Sequence, residues 1–167
     1  FWASRGATIL KKWKISLEEL DKLIGLTADT NQAQLLDFAT LPLDETGAIA
    51  SLETFLRTSR LLKLRDSLPE TDITLLEVLE KLNTGAYPAK AFALDVERLN
   101  EAWRAPDVET LISSLNLRYP EEYLLAENWE RLRQAFSLLD TLNASANTVK
   151  QFAAPVMTDV HARMLKE

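Results

Sequence analysis

Cysteine is absent from this 167-residue chain, glycine occurs four times and histidine once. Without thiols there are no cysteine nucleophiles and no Cys-based zinc or iron–sulfur sites. The single histidine, His161, cannot build a His-rich metal cluster, and Asp159, two positions away, points off its face of a helix. Four glycines leave little material for a phosphate-cradling loop, and neither a nucleophile elbow nor His-Glu-x-x-His is present. Ser113 and Ser114 have no nearby histidine to activate them, so they read as helix-packing serines.

Positive charge is also scarce. Lys and Arg number 19 against 25 Asp and Glu, a formal charge of -6. Beyond Lys11-Lys12 and Arg131/Arg133 there is no basic cluster, so the electrostatic footprint of a nucleic-acid binder is missing. No apolar run approaches the ~20 residues needed to span a bilayer, and Phe1–Gly6 has neither the basic nor the apolar region of a secretory signal. These absences predict a non-enzymatic protein with no cofactor, no metal, no small-molecule substrate and no nucleic-acid partner.

What the chain does have is apolar material, 47% of its residues, at a length that buries roughly 70% of the surface an unfolded chain exposes. Helical periodicity dominates it and strand-type alternation is almost absent. Two stretches carry the longest stripes. In 46–64, Ile49, Leu52, Phe55, Leu56, Leu61, Leu62 and Leu64 recur at mostly three- and four-residue steps; in 127–142, Trp129, Leu132, Phe136, Leu139 and Leu142 do the same.

Short helices are announced by their caps. Ser16 with Glu19 and Thr74 with Glu77 form capping boxes, in which the hydroxyl accepts a first-turn N–H and the glutamate reaches back. Asp95, Asp107 and Ser145 share the skeleton of a small polar residue four positions ahead of an apolar one, and read as three further starts. Gly25 and Gly85 follow apolar runs and read as helix stops, while the six prolines fall between periodic segments. The expected helices lie near 3–13, 17–25, 31–40, 46–66, 74–83, 89–104, 107–116, 121–142, 145–153 and 156–166. The fold class is therefore all-α: an irregular multi-helix bundle of short capped helices with two longer ones, built from helix-turn-helix-like units. Residues 1–167 read as one helical domain, and the opening Phe1 suggests excision from a much larger chain.

Exposed aromatics and apolar stripes are the remaining candidates for function. Trp13 is expected to pack between the first two helices, and Trp103 and Trp129 in the core. Phe1 and Trp2 are expected to pack against residues of a larger parent. The stripe Leu35, Leu36, Phe38, Leu41, Leu43 reads either as core or as a seam, so Phe1, Trp2, Leu35 and Phe38 are the interaction candidates. The carboxylates of Glu18-Glu19 and Glu121-Glu122 suit first helical turns. An enzyme drawn from Glu127, Glu130 and Asp140 would need clustered acids with raised pKa values in a pocket.

The cap-and-helix unit in Trp13-Lys14-Ile15-Ser16-Leu17-Glu18-Glu19-Leu20-Asp21-Lys22-Leu23-Ile24 is followed by Leu41-Pro42-Leu43-Asp44 and the leucine-rich Leu56–Leu64. With Leu138-Leu139-Asp140-Thr141-Leu142-Asn143-Ala144-Ser145-Ala146-Asn147-Thr148-Val149, these segments resemble in rhythm the helical shell of the A component of Tc (toxin complex) insecticidal toxins. The resemblance implies a secreted subunit of a pentameric particle that inserts a channel into a target membrane and delivers a toxic enzyme. It implies a non-catalytic shell whose partners are other regions of the parent chain and neighbouring subunits of a homo-oligomer, with membrane contact only through the parent toxin. No pore-forming amphipathic hairpin and no complete β-type receptor-binding insert are visible in these residues. The alternative is a stand-alone helical adaptor that holds a partner helix in an apolar groove walled by Leu35–Leu43 or Phe136–Leu142.

Overall fold

The computed structural model describes Thr8 and residues 10–28, 31–38 and 45–153. Among these residues every regular element is a helix: α1 (Leu17–Thr27), α2 (Glu45–Ser67), α3 (Leu75–Asn83), α4 (Ala89–Leu99), α5 (Ala105–Ser114), a 3₁₀ turn (Glu121–Leu124), α6 (Ala126–Leu142) and α7 (Ala146–Phe152). An all-α fold with two longer helices, α2 and α6, is what the periodicity predicted. The expected helix at 156–166, with His161, lies outside the described residues, as do Leu41 and Leu43.

Three of the five expected starts are caps. Ser16 Oγ accepts the Glu19 N–H at 3.1 Å and the Glu19 carboxylate accepts the Ser16 N–H at 2.9 Å. Thr74 and Glu77 repeat this reciprocal pair at 3.3 and 2.7 Å, and Ser145 Oγ accepts the Thr148 N–H at 3.2 Å. Each satisfies donors that a helix start leaves free. Asp95 and Asp107 are corrections. Asp95 lies inside α4, which begins at Ala89, and Asp107 lies in the first turn of α5, behind the N-cap Arg104 and with Pro106 in that same turn. Both carboxylates serve contacts between elements instead.

The stops differ in a similar way. Gly85 sits at φ +70° just past α3, as expected of a left-handed terminator, whereas α1 runs through Gly25 to Thr27. The predicted 89–104 helix ends at Leu99, because Asn100 takes an extended φ of -157° and its side chain accepts the Ala102 N–H at 3.1 Å. The expected 121–142 helix is broken at Leu125, whose φ and ψ are extended. Two side chains from the first turn of α6 bridge the break: Asn128 Nδ2 donates to the Glu122 carbonyl at 2.6 Å and Trp129 Nε1 to the Tyr123 carbonyl at 2.7 Å. The largest departure is 31–38, expected within a helix and found as a turn followed by irregular chain, with Asn31 and Gln34 at positive φ. Asn31 fixes it, accepting the Leu35 N–H at 3.0 Å and donating to the Leu35 carbonyl at 2.8 Å.

Packing gathers these pieces around one contiguous core. α1 lies on α3, α4 bridges α3 and α5, α7 rests on α5, and α6 packs on α2 and the 3₁₀ turn. Phe92 sits amid Tyr87, Tyr119, Tyr123 and Trp129 with ring centroids 5.3 to 6.2 Å apart, so one aromatic cluster joins α4 to the 3₁₀ turn and α6. Trp13 meets Phe55 of α2 at 4.9 Å, and Trp103 stacks on Phe136 of α6 at 5.6 Å and 12°. Charged struts brace the surface. Arg65 donates to Glu19 at 2.9 Å and to the Trp13 carbonyl at 2.8 Å, tying the end of α2 to the start of α1. Arg57 and Arg60 reach Glu127 at 3.3 and 3.7 Å, tying α2 to α6.

Candidate functional site

Two concave surfaces flank α6 and draw mainly on the second half of the chain, and Asp107 sits at their base. Its carboxylate is buried; one oxygen accepts the Ala146 N–H at 2.7 Å while the other meets Arg104 at 2.8 Å. That bond satisfies a first-turn donor of α7, which sets the start of α7 against α5. Ser145 caps the same turn, and Asn143, left-handed at φ 48°, closes α6 just before it. The chain thus reverses sharply between α6 and α7.

Between α5, α6 and α7 this reversal leaves an apolar groove of about 520 Å³ lined by Leu111, Ala135, Leu138, Leu139, Val149 and Ala153. Leu138 is 52% exposed, although its neighbour Leu139 is buried. One turn further along α6, Leu142 is 54% exposed and continues the same apolar edge. Lys150 lies on the groove wall, its ammonium donating to Ser113 Oγ at 3.2 Å.

On the other side of α6 lies a polar cleft of about 660 Å³, where Trp103 and Phe136 meet Arg104, Asp107, Arg133 and Asp140. Its charges are largely neutralised in pairs. Arg104 pairs with Asp107, and Arg133 grips Glu130 through bonds of 2.6 and 2.9 Å. The Arg133 hydrogen bonds hold the Glu130 carboxyl below its ordinary range, against a smaller upward push from burial. An acid catalyst would need the opposite displacement. Glu127 is taken up by Arg57 and Arg60.

A second charged constellation joins α3 to α4. The buried Asp95 carboxylate accepts from Lys81 at 2.6 Å, from Arg98 at 2.8 Å and from the Tyr87 hydroxyl, while Arg98 also reaches Asp72 at 2.6 Å. Burial pushes the Asp95 carboxyl upward, but its three donors outweigh burial and hold it below the ordinary value. Burial and the Asp95 bond together push the Tyr87 phenol far upward. This hub is hydrogen-bonded throughout, and its geometry is that of a strut.

The interaction candidates are distributed unevenly. Leu35 is fully buried and offers no outward surface. Phe38 is half-buried with its ring edge-on to Trp13 at 6.4 Å. Phe1 and Trp2 lie outside the described residues. Of the Phe136–Leu142 wall, Phe136 and Leu139 face inward and Leu138 and Leu142 face outward. The opposite wall, from Leu111 and Val149, escaped the sequence reading.

Among the described residues no three His, Asp or Glu side chains come together as a metal site, and no helix is long and apolar enough to cross a membrane. Comparison with protein-family models, curated proteins and solved structures returned no match. The functional reading therefore rests on the residues themselves.

Proposed function

We propose that this chain is a non-catalytic scaffold domain of a secreted toxin-translocation subunit, similar to the helical shell of the A component of Tc toxins. The observation that carries this reading is the combination of a braced all-α body with leucines left facing outward. Leu17, Leu52, Leu56, Leu138 and Leu142 are each about half or more exposed. Ion-paired struts between α1, α2, α3, α4 and α6 suit a load-bearing wall, and outward leucines suit a wall that meets further protein. Its partners in this reading are other parts of the parent subunit and adjacent copies of it.

The segments that carry the resemblance supply supporting detail. Ser16 and Ser145 both act as caps, and Leu56–Leu64 lies within α2. The deciding experiment is to sequence the genomic locus on both sides of the coding segment. A very long reading frame with more cap-and-helix units and a long amphipathic pore segment is the expected result. A start codon directly before Phe1 and a stop directly after Glu167 would overturn the proposal. The second reading, an adaptor that holds a partner helix, draws on the α5–α7 groove, whose apolar walls and exposed Leu138 have the character of a helix-binding channel.

A further inference from the structure

A third concave surface lies where α2 meets α6, and we infer that it docks an acidic peptide segment of a partner protein. The cleft encloses about 640 Å³. Its α2 wall presents Arg60, Lys63, Leu64 and Ser67, and its α6 wall presents Glu127, Glu130, Arg131 and Gln134. Both sets step by three, one and three residues, which keeps each on one helix face over about two turns. The walls therefore bound a trough roughly 10 Å long.

The charges of this trough do not balance. Arg60 shares the single carboxylate of Glu127 with Arg57, at 3.7 and 3.3 Å, and Arg133 at the cleft's edge takes both oxygens of Glu130. Lys63 and Arg131 enter no ion pair among the described residues. The Arg131 guanidinium has only neutral acceptors, the Asn128 side chain at 3.3 Å and the Leu115 carbonyl at 3.4 Å. Positive charge is thus in local surplus on a chain whose formal charge is -6. Such a surplus favours entry of an anion and rejects a cation. Arg131 and Arg133 form one of the two basic clusters legible in the sequence, and the fold sets Arg60 and Lys63 of a distant segment beside them.

The length of the trough and its two acids narrow the choice of anion. A compact ion such as phosphate reaches one end of it, whereas about three extended residues span it. A nucleic-acid backbone would bring phosphates against Glu127 and Glu130 and offer them no donor. A peptide brings backbone N–H groups to those carboxylates and to the Gln134 oxygen. It also sets an apolar side chain on Leu64 and Ala126, the apolar part of the lining, between carboxylates that reach Lys63 and Arg131. This docking does not depend on the toxin-shell reading, which draws on outward leucines and not on charge.

The test is fluorescence anisotropy of a short fluorescein-labelled peptide of alternating glutamate and leucine, titrated with the full chain at an ionic strength of about 0.1 M. Saturable binding that weakens with added salt is expected, and the peptide with glutamine at every glutamate should bind at least about tenfold more weakly. Lys63→Glu combined with Arg131→Glu reverses two cations that hold no carboxylate, so the thermal midpoint should be retained while affinity falls at least about tenfold. Lys63→Gln with Arg131→Gln should give a smaller loss in the same direction. Lys11→Glu combined with Lys90→Glu makes the same change of net charge at exposed positions outside the cleft and should leave affinity within about twofold. Equal weakening by the two glutamate double variants would assign binding to net charge and overturn the inference. No saturable binding at about 1 mM protein would overturn it as well. So would tighter binding of a short oligothymidylate than of the glutamate–leucine peptide, which would assign the cleft to nucleic acid.

Discussion

Tyr123 is fully buried, yet its hydroxyl has no hydrogen-bond partner, while its backbone carbonyl holds the indole N–H of Trp129. Burial pushes the phenol up to about 12, so it stays protonated and carries an unmet donor into the core. A buried unsatisfied hydroxyl costs on the order of 1 kcal/mol or more, and removing it loses no protein hydrogen bond. Tyr123→Phe should therefore raise stability by up to about 1 kcal/mol in urea denaturation. Two carboxyls behave oppositely with pH. Burial lifts Glu80 above its ordinary value, against the pull of Lys22, so its folded form binds a proton more tightly than its unfolded form. Its contribution is fully present at low pH and is lost as pH rises through the folded value. Asp95 is lowered, so its contribution is present above the unfolded value and lost as pH falls through the folded one. Glu80→Gln should raise the thermal midpoint at pH 7 and leave it unchanged at pH 3, whereas Asp95→Asn should lower it at pH 7 and flatten the acid limb.

At the level of elements, Asp107 matters more than its exposed neighbours on α5. Its bond to the Ala146 N–H is buried and spans two helices. Asp107→Ala leaves that donor unpaired, at a cost of about 1–3 kcal/mol, and should speed amide exchange across α7 before the rest of the fold opens. A uniform loss of protection would mean that α7 is no separate unit. The same residue shows what a sequence can and cannot disclose about elements. Ser16, Thr74 and Ser145 were legible as caps because the cap bond closes within three residues of chain. Asp95 and Asp107 present the same local pattern, but their partners lie 14 and 39 residues away, in information the pattern does not contain. The 31–38 segment was misread for the same reason. Its apolar spacing fits a helix, but the Leu36 N–H is claimed by Thr58 Oγ of α2 at 2.7 Å and the Asn31 side chain closes a tighter turn. The groove was half legible: the α6 wall follows from periodicity, whereas the walls from α5 and α7 depend on the turn at Asn143.

For the whole molecule, the single contiguous core predicts a single unfolding transition. Trp13 reports the packing of the first segment on α2, and Trp129 reports the aromatic cluster around Phe92. Variants in which the other tryptophans are replaced by Phe, leaving only Trp13 or only Trp129, should give fluorescence midpoints in urea that coincide with each other and with helical circular dichroism. Separated midpoints would divide the bundle into two independently folding units.

Among the main packing partners, α2 and α6 stand furthest apart along the chain, and the bonds from Arg57 and Arg60 to Glu127 mark where they meet. Of the other pairings, α3 with α4 and α4 with α5 join successive helices across short loops at small entropic cost, whereas α1 reaches α3 past α2 and α7 reaches α5 past α6. Bringing α2 onto α6 closes a ring around nearly everything between them. The contacts slowest to form should be these non-local ones, α1 with α3 and α2 with α6, because their loops are the longest to close, while successive helices such as α4 and α5 pair early.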